Sequence, residues 1–104
     1  MKNYQPAVEG AVHWRDLSDE ELVVIYRDRD VKAAFLTLME RNGPLLRQRA
    51  LELTGSARGA ATVCRSVFAE AALRISALHE STPFAQWLLR LANKHAAAAN
   101  DEND

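Results

Sequence analysis

Apolar residues recur at three- and four-residue spacing along most of this chain, and nowhere do they alternate with polar residues over a strand's length. That periodicity confines the chain to helices, and amphipathic helices bury their stripes only against one another. A chain of 104 residues fits one domain with one modest core. Hydrophobic residues supply 48% of it and charged residues 26%, a balance that argues against wholesale disorder. The expected fold is all-α, a compact bundle of about four helices.

The signals that start and stop each helix can be read in order. Residues 1–16 have no clear period, contain Pro6 and Gly10, and read as an N-terminal arm that Tyr4 or Trp14 could tack down. Ser18 and Glu21 form a capping box, with Leu17 and Leu22 as a hydrophobic staple. Leu22, Ile25 and Tyr26 give the first helix its stripe, and it ends near Arg29. Asp30 is predicted to cap a second helix carrying Val31, Ala34, Phe35, Leu38 and Met39. Gly43-Pro44 reads as a stop, because Pro44 removes the bond to the Glu40 carbonyl. The stripe nevertheless keeps its phase into Leu46, Ala50 and Leu53, which predicts one bent helix running to Thr54, with Gly55 ending it.

A third helix is expected from about Ala57 to Leu78, with Cys64, Val67, Phe68, Ala71, Ala72, Ile75 and Leu78 on its core side. Thr82-Pro83 reads as cap plus first-turn proline of a last helix, whose Phe84, Trp87, Leu88, Leu91 and His95 face inward. The folded domain is expected over 17–96. Residues 97–104, the end of an alanine run followed by acids, read as a frayed tail.

Chemistry-bearing residues are sparse. Cys64 is the one cysteine, so no internal disulfide is possible and a reducing compartment is expected. No apolar run is long enough to span a bilayer, and the N-terminus lacks a signal-peptide pattern, so a cytoplasmic protein with no membrane partner is expected. The three histidines, His13, His79 and His95, have no ligand-like spacing to one another or to Cys64. His79-Glu80 opens like a zincin motif, but the fifth position is Pro83. Gly43, Gly55 and Gly59 do not form a phosphate loop. No catalytic residue, metal site or cofactor is expected, and the chain reads as a binding protein rather than an enzyme. Thirteen basic residues against 14 acidic ones give a net charge of −1, so any nucleic-acid role must rest on a local patch.

Three segments in order carry a family resemblance. LSDEELVVIYRDRDVKAAFLTLMERNGPLLRQRALELTG, from Leu17 to Gly55, resembles the opening two helices of region 2 of the bacterial sigma-70 family, closest to its extracytoplasmic-function group. SVFAEA, Ser66 to Ala71, is similar to the middle of that domain's third helix, and STPFAQWLLRLANKHA, Ser81 to Ala96, to its promoter-facing helix. The resemblance implies a compact helical bundle and a role in transcription.

It also implies two working surfaces. The first is a polymerase-binding face on the third helix, which the family marks with an acidic-polar signature. The matching positions here are Ala61, Thr62, Arg65 and Ser66, which hold no carboxylate, and from Arg58 to Arg74 the helix has three arginines against Glu70 alone. A polymerase surface suited to anions would meet like charge there. The second surface reads and melts the promoter −10 element. By resemblance it comprises the loop residues His79, Ser81 and Thr82, with Arg90, Asn93 and Lys94 on the outward side of the last helix. Trp87 could serve as a stacking platform there, although its helical phase also fits the core. After Lys94 the chain has alanines and then Asp101, Glu102 and Asp104, a poor phosphate track.

Opposite its core stripe, the third helix presents Thr62, Ser66, Ala69, Leu73 and Ser76, with Arg58 and Arg65 alongside. A solvated helix face is normally charged, and small, mildly apolar residues suit close approach of another helix, although scattered exposed Ala and Leu also occur on ordinary surfaces. The expected function is that of a sigma factor-like transcription regulatory protein that kept the fold and exchanged the partner. That partner would be an anti-sigma factor, a transcription regulator, RNA polymerase at another site, or a second copy of the chain. The alternative is a conventional or accessory sigma-type factor that binds core polymerase and −10 DNA.

Overall fold

A computed structural model describes residues 16–78 and 81–102. The N-terminal arm with Tyr4, His13 and Trp14, and the loop residue His79, fall outside them. Among the described residues the fold is all-α. Helices α1 (Asp19–Arg29), α2 (Lys32–Thr54), α3 (Ala57–Arg74) and α4 (Phe84–Glu102) are joined by short connections, with a 3₁₀ turn at Ile75–Ala77 after α3. Helix α2 packs against α1, α3 and α4, and α3 also packs against α4.

The expected start of α1 is present. Ser18 Oγ accepts from Glu21 N–H at 3.0 Å, and Glu21 Oε1 accepts from Ser18 N–H at 2.8 Å. Leu17 packs against the core in which Leu22 is fully buried. The expected cap at Asp30 is not. Asp30 closes α1 instead, in the left-handed region at φ 55°, ψ 40°, and its N–H donates to the Tyr26 carbonyl at 2.9 Å. Val31 stands at the N-cap of α2 without a side-chain bond. The reason is spatial: a chain reversing from α1 into α2 needs a left-handed residue, and aspartate tolerates that conformation better than most.

Helix α2 runs unbroken for 23 residues through Pro44 and ends at Gly55, whose φ of 76° gives the left-handed cap. Burial along both halves holds the proline in place: Ala34, Leu38 and Met39 before it, and Leu46 and Ala50 after it, share one core. The helix therefore absorbs a lost hydrogen bond for a continuous stripe. Asn42, beside the Gly-Pro pair, is buried and serves as a clasp. Its Nδ2 donates to the Leu38 carbonyl at 2.9 Å and to Asp19 Oδ2 at 3.2 Å. Arg41 completes that clasp, donating to Asp19 Oδ1 at 2.9 Å and to the Leu17 carbonyl at 2.8 Å.

Helix α3 begins under Ser56, whose Oγ accepts from Gly59 N–H at 3.0 Å. A Cβ at Gly59 would stand 2.8 Å from the Thr54 Cβ, so the tight α2–α3 turn requires glycine there. The buried line of α3 is Ala60, Val63, Val67, Ala71 and then Ile75. That is a correction to the expected stripe. Val67, Ala71 and Ile75 are buried as expected and Cys64 and Leu78 pack half-buried against the core, but Phe68 is 38% exposed and Ala72 is exposed. The small residues Ala34, Ala50, Ala92 and Ala96 of the neighbouring helices share one core with this small-sided line of α3.

In α4 the Trp87 N–H donates to the Pro83 carbonyl at 3.1 Å, which puts Pro83 at the cap position and Thr82 one residue earlier than expected. Phe84, Leu88, Leu91, Ala92 and Ala96 are buried, whereas Trp87 and His95 are half-buried. The helix does not end at Ala96. It continues to Glu102, with Ala99 packed against the core and Asn100 Nδ2 3.4 Å from the Leu53 carbonyl.

Candidate partner-binding surface

Every residue of the expected outer face of α3 lies at the surface. Arg58, Thr62, Arg65, Ala69, Leu73 and Ser76 are exposed, and Ser66 is half-buried. Leu73 is 82% exposed, more than any other large hydrophobic residue described. Thr62 Oγ1 donates to the Arg58 carbonyl at 3.1 Å and accepts from Arg65 Nη2 at 3.4 Å, so its hydroxyl is satisfied within the helix. The face is thus small-sided, apolar at its centre and cationic at its edge.

Its two flanks differ. Toward α4 stands Glu70, whose side chain is only 12% exposed and collects three donors. Arg74 Nε approaches at 3.0 Å, Lys94 Nζ at 2.9 Å and His95 Nε2 at 2.6 Å. Hydrogen bonds from Lys94 and then His95 outweigh burial and hold the Glu70 carboxyl below its ordinary range. The inward-facing His95 is therefore the polar end of an α3–α4 clamp, and the acid that interrupts the arginines of α3 is spent inside it.

Toward α2 the surface opens into a groove of about 420 Å³. Phe68 and Leu51 form its apolar ends, Cys64 lies between them, and Arg47 and Arg65 come from opposite banks. Burial raises the Cys64 thiol above its usual range, against a smaller opposing pull from Arg47. Cys64 and Phe68 are the residues that helical periodicity placed in the core. A second phase, Ala60–Val63–Val67–Ala71, was available in the sequence and would have put them on this flank. It was masked because its side chains are smaller.

The expected nucleic-acid face is only partly assembled. Ser81, Arg90 and Asn93 are exposed. Lys94 is exposed as well, but its ammonium is drawn onto Glu70. Thr82 is half-buried and lines a smaller cleft of about 200 Å³ with Val23, Val24, Leu78 and Phe84. Trp87 packs against the core with its ring centroid 5.8 Å from that of Phe84, the arrangement of a packed aromatic rather than an open stacking platform. Among the described residues no group of three or more His, Cys, Asp or Glu side chains is gathered to hold a metal, and no helix is long and apolar enough to cross a membrane.

Comparison of the chain with protein-family models, curated proteins and solved structures gives no match.

Proposed function

We propose that this chain is a sigma factor-like transcription regulatory protein that acts by binding another protein through the outer face of α3. The observation that carries the reading is the exposed apolar centre of that face, Leu73 with Ala69, on a helix whose one acid is turned away into the Glu70 clamp. Close approach of a partner helix is sterically easy over Ala69, Thr62 and Ser76, and Leu73 offers it an anchor. The ordered resemblance of Leu17–Gly55, Ser66–Ala71 and Ser81–Ala96 to sigma region 2 supplies the transcriptional context. The absence of carboxylates at Ala61, Thr62, Arg65 and Ser66 supports an exchanged partner, an anti-sigma factor or another regulator. Promoter −10 binding is the less favoured reading. With Lys94 engaged by Glu70, Arg90 is the cation left beside Asn93 on that side of α4, too few charges for a phosphate track.

Affinity capture of the full chain from its own cells, with bound proteins identified by mass spectrometry, tests the proposal. One defined regulator is expected, lost with Leu73→Asp or Ala69→Glu while the helical signal and melting temperature persist. Stoichiometric core polymerase subunits, still captured by both variants, would replace this reading with that of a conventional sigma-type factor.

A further inference from the structure

The α2–α3 groove lies beside the outer face of α3 but has a chemistry of its own. Gly43, Arg47 and Leu51 line it from α2 at four-residue spacing, and Ala61, Cys64 and Phe68 from α3. Phe68 is 38% exposed and Leu51 42%, so both apolar ends are open to solvent. From Ala61 to Phe68 is seven residues, or about 10 Å along the helix. Between these ends stand Arg47 and Arg65, and neither meets a carboxylate among the described residues. Arginine is the side chain best suited to fork onto a carboxylate at an interface.

We propose that this groove binds an acidic amphipathic helix of a partner protein, with two apolar anchors about two turns apart and carboxylates between them that pair with Arg47 and Arg65. The inference rests on the reading that the chain works by protein binding, and it names the class of partner. A helix laid along the groove with apolar side chains at i and i+7 reaches Leu51 at one end and Phe68 at the other. The small floor of Gly43, Ala57, Ala60 and Ala61 lets its backbone come close. A nucleic-acid strand is a poorer fit, because the groove offers it only Arg47 and Arg65 between apolar ends, whereas a phosphate chain needs a longer cationic track. A second copy also fits poorly. Of the acids of α1, Asp19 is held by Arg41 and Asn42 and Asp28 is paired with Arg27, and its Leu22 and Val23 are buried in its own core.

The test is selection of a displayed library of helical peptides, roughly five turns long, on the full chain. Enriched sequences are expected to carry Glu or Asp between two apolar positions seven apart, and to slow alkylation of Cys64. Arg47→Glu with Arg65→Glu should weaken them roughly tenfold or more, and changing the peptide's acids to lysines should restore binding to that variant. Leu73→Asp should leave peptide affinity unchanged. Enrichment of basic or neutral peptides, no enrichment, or indifference to the charge reversal overturns the proposal. So does a dimer of the chain, or a single-stranded DNA complex, that dissociates with the same double substitution. If the groove selects no acidic helix while Leu73→Asp still abolishes a captured regulator, the groove fails and the outer-face reading stands. If no partner depends on Leu73 but the groove selects acidic helices, the reverse holds.

Discussion

The two flanks of α3 are built from the same helix, yet one is closed and the other open. On the α4 side, Glu70 draws Arg74, Lys94 and His95 together, so the charges there satisfy one another. On the α2 side, Arg47 and Arg65 stand beside exposed Phe68 and Leu51, and no acid among the described residues meets them. Residues 68 and 70 are two positions apart, which on a helix is more than half a turn of rotation. The comparison teaches that the overall charge of α3 says little about its binding chemistry. Its one acid is consumed on one flank, and what remains open to solvent is the cationic, apolar flank and the face between.

That contrast can be broken or sharpened by substitution. The largest effect is expected at the buried line that both flanks share. Ile75 is 1% exposed, and Ile75→Ala should cost about 2–5 kcal/mol in chemical denaturation. A smaller loss would mean that α3 is not seated as described and that the division into flanks does not hold.

Next is the closed flank. Glu70→Gln leaves Arg74, Lys94 and His95 facing a neutral amide, and should cost about 1–2 kcal/mol at pH 7, a modest figure because Lys94 and Arg74 are largely exposed. The carboxyl's folded pKa is lowered, so its contribution is present above the ordinary glutamate value of 4.5 and is lost as pH falls through the folded value. Wild type and Glu70→Gln should therefore differ at pH 7 and converge in acid. A difference that persists unchanged at low pH would assign the loss to packing instead of charge.

The smallest effect is expected on the open side. Leu73→Asp should change stability by no more than about 0.5–1 kcal/mol, the cost of an acid near a helix C-terminus on an exposed position. Unfolding of that variant would show that Leu73 serves the fold and would withdraw it from the binding surface.

Much of this was legible in the chain itself. The four helices, the capping box at Ser18 and Glu21, the glycine stop at Gly55 and the continuity of α2 through Pro44 follow from local hydrogen-bond rules and from one helix keeping its own phase. The outer-face residues Thr62, Ala69, Leu73 and Ser76 followed too, since they lie opposite either of the two phases that α3 could adopt. Helix α4 shows the limit. Its alanine run has high helix propensity, but only the contacts of Ala96 and Ala99 with the core, and of Asn100 with Leu53, carry it to Glu102.

The sequence by itself determined the class of fold and the approximate span of its helices, because caps, prolines and periodicity act between residues a few positions apart. Tertiary structure alone decided the rotation of α3 and the capture of Lys94 by Glu70, because each depends on how closely a distant segment approaches. At α3 the buried line Ala60, Val63, Val67, Ala71 and Ile75 leaves Phe68 at the rim of a groove and Cys64 half-buried between that groove and the core.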